Sequence, residues 1–326
     1  MRDENYESAL AGDIAAFVAQ KRACGYPYVA SAAILRRFDR MVAERFPDDE
    51  TLTKGACDAW LALVEDEHPN ELLRRVSPVR QLAKYMTASG KPSYLIPSGI
   101  PGKRMKYQAH IFTEEELLAF FSAVDSCEPS ACSPTKAYVV PTLFRMLYCC
   151  GMRSSEPLLL DAAGVDLDSG RIDIKGCKGW RGRTIYMGDD MLHVCRAYDA
   201  VISGMLPGRV PFFPNREGNF FSKHAPNRWF HQFWDSLPEA ACVKGNPPRV
   251  HDFRHTYAVT RLNRWVAEDA NVQAMYPYLS GFLGHANFAD TNYYLKMSAS
   301  FYPELDRRMA PINSLILPEV TRNDKE

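Results

Sequence analysis

The chain has 326 residues, with 39 basic against 39 acidic side chains, a formal net charge of +0 and 46% hydrophobic residues. That length and apolar content suffice for two ordinary domains, each with its own core. Neutrality means that bulk charge does not argue for a nucleic-acid partner; only a local basic face would. The opening MRDENYES has no apolar h-region, and no run of about 18 apolar residues could span a bilayer, so no membrane association is expected and a cytoplasmic location is. The nine cysteines form no CxxC pair, which argues against a disulfide framework or a zinc site. Cys149 and Cys150, in an apolar helical run, are expected as small core hydrophobes.

Residues 9–90 carry helical periodicity. Over 31–46, Leu35, Phe38, Val42 and Phe46 recur at the spacing of one helix face, with Arg36, Arg37 and Arg40 on the other. Over 71–86 a second amphipathic stretch places Leu72, Val76, Val79, Leu82 and Met86 inside and Arg75, Arg80 and Lys84 outside; Pro78 marks a kink or a helix start. The periodicity breaks over 91–110, where Pro92, Pro97, Gly99, Pro101 and Gly102 precede Lys103, Arg104 and Lys106. A linker is expected there. It ends at Thr113, which with Glu116 forms a capping box opening a helix through Leu117, Leu118, Phe120 and Phe121. The chain is therefore expected to divide into a helical domain, 1–107, and a second domain, 108–326.

In that second domain an apolar helix over 142–150 ends at Gly151. A short β-ribbon follows, 171–175 returning as 183–187 around a Gly-rich turn, and concentrates Arg171, Lys175, Lys178, Arg181 and Arg183. Helical patterns resume over 191–203, 225–237, 252–266 and 273–283, and a short helix carries Tyr293 and Tyr294. The fold class is mainly α with a small β-hairpin, α+β.

Along this domain runs a set of basic and hydroxyl side chains: Arg153 in GMRSSE, Lys175 in IKGCKGWRGR, His251 and Arg254 in HDFRH, His285 in LGH and Tyr294 in NYY. None is a carboxylate and none has metal-ligand spacing. Guanidinium forks grip phosphate oxygens bidentately and imidazoles donate to the rest, so the set describes a phosphate cage with a candidate nucleophilic tyrosine beside it. His251, Arg254 and His255, spaced by three and four, share one helical face, and a crowded basic face of this kind calls for an anion. Neighbouring helical residues point about 100° apart, so only one of Tyr293 and Tyr294 can face the cage.

In order and spacing these pieces resemble the tyrosine recombinase family, the phage integrase and Xer type of site-specific DNA recombinases. GMRSSE is similar to the family's first arginine motif, the Lys175 ribbon to its β-hairpin lysine motif, HDFRH to HxxRH and LGHAN to its LGH motif; Tyr294 lies nine residues after His285, where the family places its nucleophile. The resemblance covers nearly the whole chain. It implies a helical core-DNA-binding domain ahead of an integrase-type catalytic domain, the two closing on duplex DNA as a clamp. It also implies a role for each matching position. Arg153 and Arg254 would clamp the scissile phosphate, His251 and His285 would donate to it and manage protons, and Lys175 would protonate the departing 5′-hydroxyl. Tyr294 would form a 3′-phosphotyrosine, and Glu156 and His255 would give support. Lys178 is the alternative to Lys175, because extra residues lengthen this hairpin turn, and Tyr293 is the alternative to Tyr294. Neither metal, ATP nor another cofactor is required.

Arg37, Arg80, Lys84, Lys103, Arg104, Lys106, Lys178 and Arg181 are the candidate DNA contacts. The family works as a homo-tetramer on two duplexes, so a monomer or weak dimer is expected when free, with the tail around Leu315, Ile316 and Leu317 docking on a neighbour or on its own domain. The stretch before the linker has room for one helical domain only, so simple core sites are expected. The rival readings are type IB topoisomerase-like relaxation and a catalytically silent DNA-binding regulator. The DNA site, and the choice among integration, excision, inversion and chromosome resolution, are not written in these motifs.

Overall fold

The computed structural model describes residues 5–62, 64–100, 102, 105, 107–176, 182–243, 246–285 and 287–295. The chain forms two compact units, Met1–Tyr107 and Gln108–Glu326.

The first unit packs α1 (Ala11–Ala23), α2 (Val29–Arg45), α3 (Lys54–Leu61) and α4 (Pro69–Ala88) around Phe17, Leu35, Phe38, Val42, Trp60, Val79 and Leu82. The apolar stripe of α2 faces this core as its periodicity predicts. Asp39, buried on α2, accepts from the backbone N–H groups of Glu7 (2.6 Å) and Ser8 (3.2 Å), tying the incoming chain to the bundle. Pro78 lies inside α4, which runs on through it. Arg75, expected on the outer face of α4, is instead buried. Its guanidinium stacks 4.8 Å from the Trp60 ring, donates to the Trp60 carbonyl and pairs with Glu67 (2.6 Å). A guanidinium with a carboxylate, a carbonyl and an aromatic face has its desolvation compensated, and helical periodicity does not register such partners.

The second unit opens at α5 (Glu114–Asp125), with the Thr113–Glu116 capping box formed reciprocally. Behind it the central helix α6 (Lys136–Cys149) buries Val139, Val140, Leu143, Phe144, Met146 and Leu147. Cys150 is buried, but Cys149 stands exposed, contrary to its expected place in the core, because adjacent helical residues diverge. Three short strands follow, β1 (Val165–Asp166), β2 (Arg171–Ile174) and β3 (Arg183–Tyr186), in the antiparallel order β1-β2-β3. Ile172 pairs with Ile185, so the apolar sides of the ribbon share one face. The two-residue β1 is too short to leave an alternating pattern in the sequence. Helices α7 (Asp189–Met205), α8 (Ala225–Trp234) and α9 (Pro238–Cys242) complete the wall. α10 (Asp252–Ala267), α11 (Val272–Leu283) and α12 (Phe288–Leu295) close the unit, with α10 lying on α6 and beneath α12. Phe253 of α10 is buried against Phe112 (4.7 Å, stacked), Phe120 and Phe144. This aromatic cluster anchors the helix start that carries His251, Arg254 and His255.

Among the described residues no helix is long and apolar enough to cross a membrane, and no three His, Cys, Asp or Glu side chains gather as metal ligands.

Candidate active site

Two left-handed glycines turn the chain into the site. Gly151, just past α6, has φ +55, and a Cβ there would lie 2.5 Å from the Tyr257 ring. Gly284, just past α11, has φ +67, and a Cβ there would lie 2.9 Å from Arg183 Cδ. Only glycine meets both demands. Arg153 follows the first turn by two residues and His285 follows the second directly.

The end of α11 is where the arginines converge. Arg183 Nε donates to the Phe282 carbonyl (2.7 Å), Arg254 Nη2 to that of Leu283 (2.6 Å) and Arg153 Nη2 to that of Gly284 (2.6 Å). The last carbonyls of a helix have no partner within it and carry the negative end of its dipole. Three successive carbonyls here take one guanidinium each, from three distant parts of the chain. Arg254 also donates to the Gly151 carbonyl (2.9 Å), so both glycine turns hold its side chain.

Glu156, buried at the start of the 3₁₀ turn after Arg153, is the carboxylate bonded to two of them among the described residues. Its Oε1 accepts from Arg153 Nη1 (2.8 Å) and Arg183 Nη1 (2.7 Å); its Oε2 accepts from the Arg153 backbone N–H (2.8 Å) and Arg183 Nη2 (2.8 Å). Burial alone would raise the carboxyl pKa, but the hydrogen bonds and charge of Arg183, with those of Arg153, bring it down to about 2. Two guanidiniums thus share one carboxylate, and the third, Arg254, is bonded to carbonyls instead. The excess positive charge shows in its neighbours. Burial first, then the charges of Arg254, Arg249 and Arg153, push His251 down to about 4. Burial and the same kind of repulsion push His285 and His255 to about 3. Burial lowers even Arg254 to about 10, still charged at neutral pH. This is a site prepared for an anion.

Tyr294 lies at its edge, 2% exposed. Burial raises its pKa, opposed by the charge of Arg254 and a hydrogen bond from it, and then by the charge of Arg153. Its ring stacks on His285 (5.9 Å, 17°) and lies 5.4 Å from His255. The Tyr293 hydroxyl accepts from the Ala109 N–H (3.0 Å). His285 Nδ1 shares a 2.7 Å hydrogen bond with Thr291 Oγ1, a fully buried residue one turn before Tyr294. His251 and His255 meet edge to face at 4.8 Å.

Arg153, Glu156, His251, Arg254, His255, His285 and Tyr294 are therefore brought together. Lys175 lies just past β2 with its side chain largely exposed, and its ammonium pairs with Asp161. Of the candidate DNA contacts, Lys84 is exposed on α4. Arg37 lines an open groove of about 440 Å³ between α2 and α4, together with Arg74 and Gln81. Arg80 donates to the carbonyls of Ile96 (2.9 Å), Pro97 (2.8 Å) and Ile100. Lys103, Arg104, Lys106, Lys178, Arg181 and the tail with Leu315, Ile316 and Leu317 lie outside the described residues. Two participants were not singled out from sequence, Arg183 and Thr291. Arg183 was visible only as one of five basic residues in the ribbon, and Thr291 carried no signal.

The phage integrase family model matches residues 110–300, spanning every residue of this cluster, and the chain belongs to that family, the tyrosine recombinases. It is 30% identical over 283 residues to y4rE of Sinorhizobium fredii, described as an integrase/recombinase, covering 86% of this chain and 89% of that one. It is 28% identical over 268 residues to the tyrosine recombinase XerD of Neisseria meningitidis serogroup B, covering 79% and 84%. A lambda integrase solved as a tetramer bound to a Holliday junction shares the fold at TM-score 0.60 and 14% identity, over 88% of this chain and 79% of that one. The chain is a recombinase-family enzyme, and its mainly helical fold with a small sheet is that of its relatives.

Proposed function

We propose that this chain cleaves and rejoins duplex DNA at specific sites through a covalent 3′-phosphotyrosine on Tyr294, and exchanges strands between two duplexes. The observation that carries the reading is the convergence of the Arg153, Arg183 and Arg254 guanidiniums on the carbonyls ending α11, with the Tyr294 ring stacked on His285 directly after that turn. Tyr294 Oη attacks the scissile phosphorus, forming the new P–O bond while the bond to the 5′-oxygen breaks. Arg153 and Arg254 hold the non-bridging oxygens, where preorganised donors contribute most. His251 and His285, held neutral by burial and the nearby arginines, present N–H donors and a base for the tyrosine proton. Lys175 leaves Asp161 and protonates the 5′-oxygen. One phosphodiester is exchanged for another, so the bond energy is retained and neither ATP nor a metal enters.

Duplex DNA is the partner on this reading. The first unit contributes its Arg37 groove and Lys84, and the active assembly is a tetramer, as the lambda integrase complex at a Holliday junction suggests by analogy. The test is a suicide duplex nicked beside the cleavage position, built on the sequence recovered from DNA that co-purifies with the Tyr294→Phe chain. The wild type is expected to accumulate a covalent complex that Tyr294→Phe does not form. A complex that persists in Tyr294→Phe refutes the assignment. Recombinant joints between two marked duplexes separate recombination from simple relaxation.

A further inference from the structure

We infer that Arg183, the first residue of β3, is a positioning residue of the active site: it cancels the charge of Glu156 and holds that carboxylate against Arg153, so that Arg153 keeps its positive charge for the scissile phosphate. The inference rests on the reading of the site given above and names the residue that makes its arginine pair effective.

The geometry is specific. Arg183 approaches Glu156 fork to fork, Nη1 to Oε1 at 2.7 Å and Nη2 to Oε2 at 2.8 Å, while its Nε is fixed on the Phe282 carbonyl at 2.7 Å. All three of its nitrogens are thus directed at protein, and its side chain is 11% exposed, so it is badly placed to grip DNA itself. The Arg153 guanidinium meets the same carboxylate with one nitrogen, Nη1, beside its backbone N–H, and is more open, at 26%. Left with Arg153 alone, Glu156 would neutralise the guanidinium that has to meet a phosphate. With Arg183 in place the carboxylate has a dedicated cation, and it serves Arg153 as a hydrogen-bonded support rather than as a competing anion. An ion pair this well buried acts over short range with little screening. Gly284 supports the arrangement, since any side chain there would strike Arg183 Cδ at 2.9 Å and its Nη1 at 3.1 Å.

The charge argument makes a prediction that mere scaffolding does not. Arg183→Gln leaves an unbalanced carboxylate beside Arg153, whose positive charge acts on Tyr294; Glu156→Gln with Arg183→Gln removes the anion as well. Single-turnover formation of the covalent complex is measured on the nicked duplex described above, at saturating protein, as a function of pH. The wild type sets the scale. Arg183→Gln is expected to cleave about 100-fold more slowly, the size of a lost electrostatic contact in such sites, with the Kd for the duplex changed less than about threefold. Its rate should begin to rise at higher pH than in the wild type, because a carboxylate drawn onto Arg153 offsets the positive charge with which Arg153 favours ionisation of Tyr294. The double variant should return to within about tenfold of the wild type with the pH profile restored. Should Arg183→Gln fail to fold, Arg183→Lys reads the same quantity, since it keeps the charge and loses the fork: an unmoved pH profile supports the inference and a displaced one overturns it. Arg183→Gln cleaving at the wild-type rate, or a double variant no faster than the single, also overturns it. If the wild type itself forms no covalent complex, the recombinase reading fails, and that failure is distinct from either of these.

Discussion

Replacing Glu156 by glutamine changes one atom type at the centre of the arginine cluster, and its consequence can be worked from the contacts. The carboxylate accepts four hydrogen bonds, two at each oxygen, from Arg153 and Arg183. Glutamine keeps one acceptor oxygen and turns the other into an NH2 donor. Whichever way the amide is turned, it presents donors to two donors. Two charge-assisted hydrogen bonds are lost, at about 1.5–3 kcal/mol each, and two guanidiniums remain near each other without their anion. Breaking a buried ion pair from one side gives a similar figure, about 3–5 kcal/mol. For a domain of this size that is a fall in Tm of roughly 10 °C, read by thermal or urea unfolding. The pH dependence adds a second check. With its folded pKa held at about 2, below the unfolded value near 4.3, Glu156 stabilises the fold above the unfolded pKa and loses that contribution as pH falls through the folded one. The gap between wild type and Glu156→Gln should therefore stay constant from pH 8 to about 5 and close toward about pH 2. A loss under about 1 kcal/mol, or a gap that closes by pH 6, would refute the account of Glu156 as the cluster's anionic hub.

Gly284→Ala should destabilise the fold by about 1–2 kcal/mol from the left-handed backbone alone. It should also slow cleavage, because its Cβ displaces Arg183; a neutral result in both measurements refutes the role given to this turn. Thr291→Val removes the hydroxyl bonded to His285, and should lower the single-turnover cleavage rate about tenfold with DNA affinity unchanged; equal losses in rate and affinity would show that Thr291 matters for packing instead. The histidines predict acid sensitivity. Their folded pKa values, about 4 for His251 and about 3 for His255 and His285, lie below the unfolded value. The folded state therefore binds fewer protons, and stability is lost as pH drops below about 6.5. Each accounts for up to about 2 kcal/mol at pH 5. His251→Gln with His285→Gln should flatten the stability profile between pH 6.5 and 4, measured by urea unfolding, and an unchanged slope would contradict the burial argument.

Periodicity and turn signals placed the helices, and order and spacing put Arg153, Lys175, His251, Arg254, His285 and Tyr294 in one set; Glu156 and His255 gained their supporting roles only through the family resemblance, and Lys175 pairs instead with Asp161. That was possible because caps, glycine turns and apolar stripes are local, and because the site residues sit in compact motifs at helix ends. Reading failed where a side chain's environment comes from elsewhere in the chain. Arg75 looked like a solvent-facing arginine and is buried, since Trp60 and Glu67 on other segments receive it. Arg183 looked like one basic ribbon residue among several. Its bond to Glu156 spans 27 positions and its bond to Phe282 spans 99. No local pattern encodes such separations, because a charged side chain's desolvation is settled by partners that arrive only when helices and sheet pack. The sequence by itself determined which basic and hydroxyl side chains could form a phosphate cage and in what order they come. The tertiary structure alone decided that three arginines would meet on the carbonyls ending α11, that one carboxylate would be shared between two of them, and that Tyr294 would lie against the third.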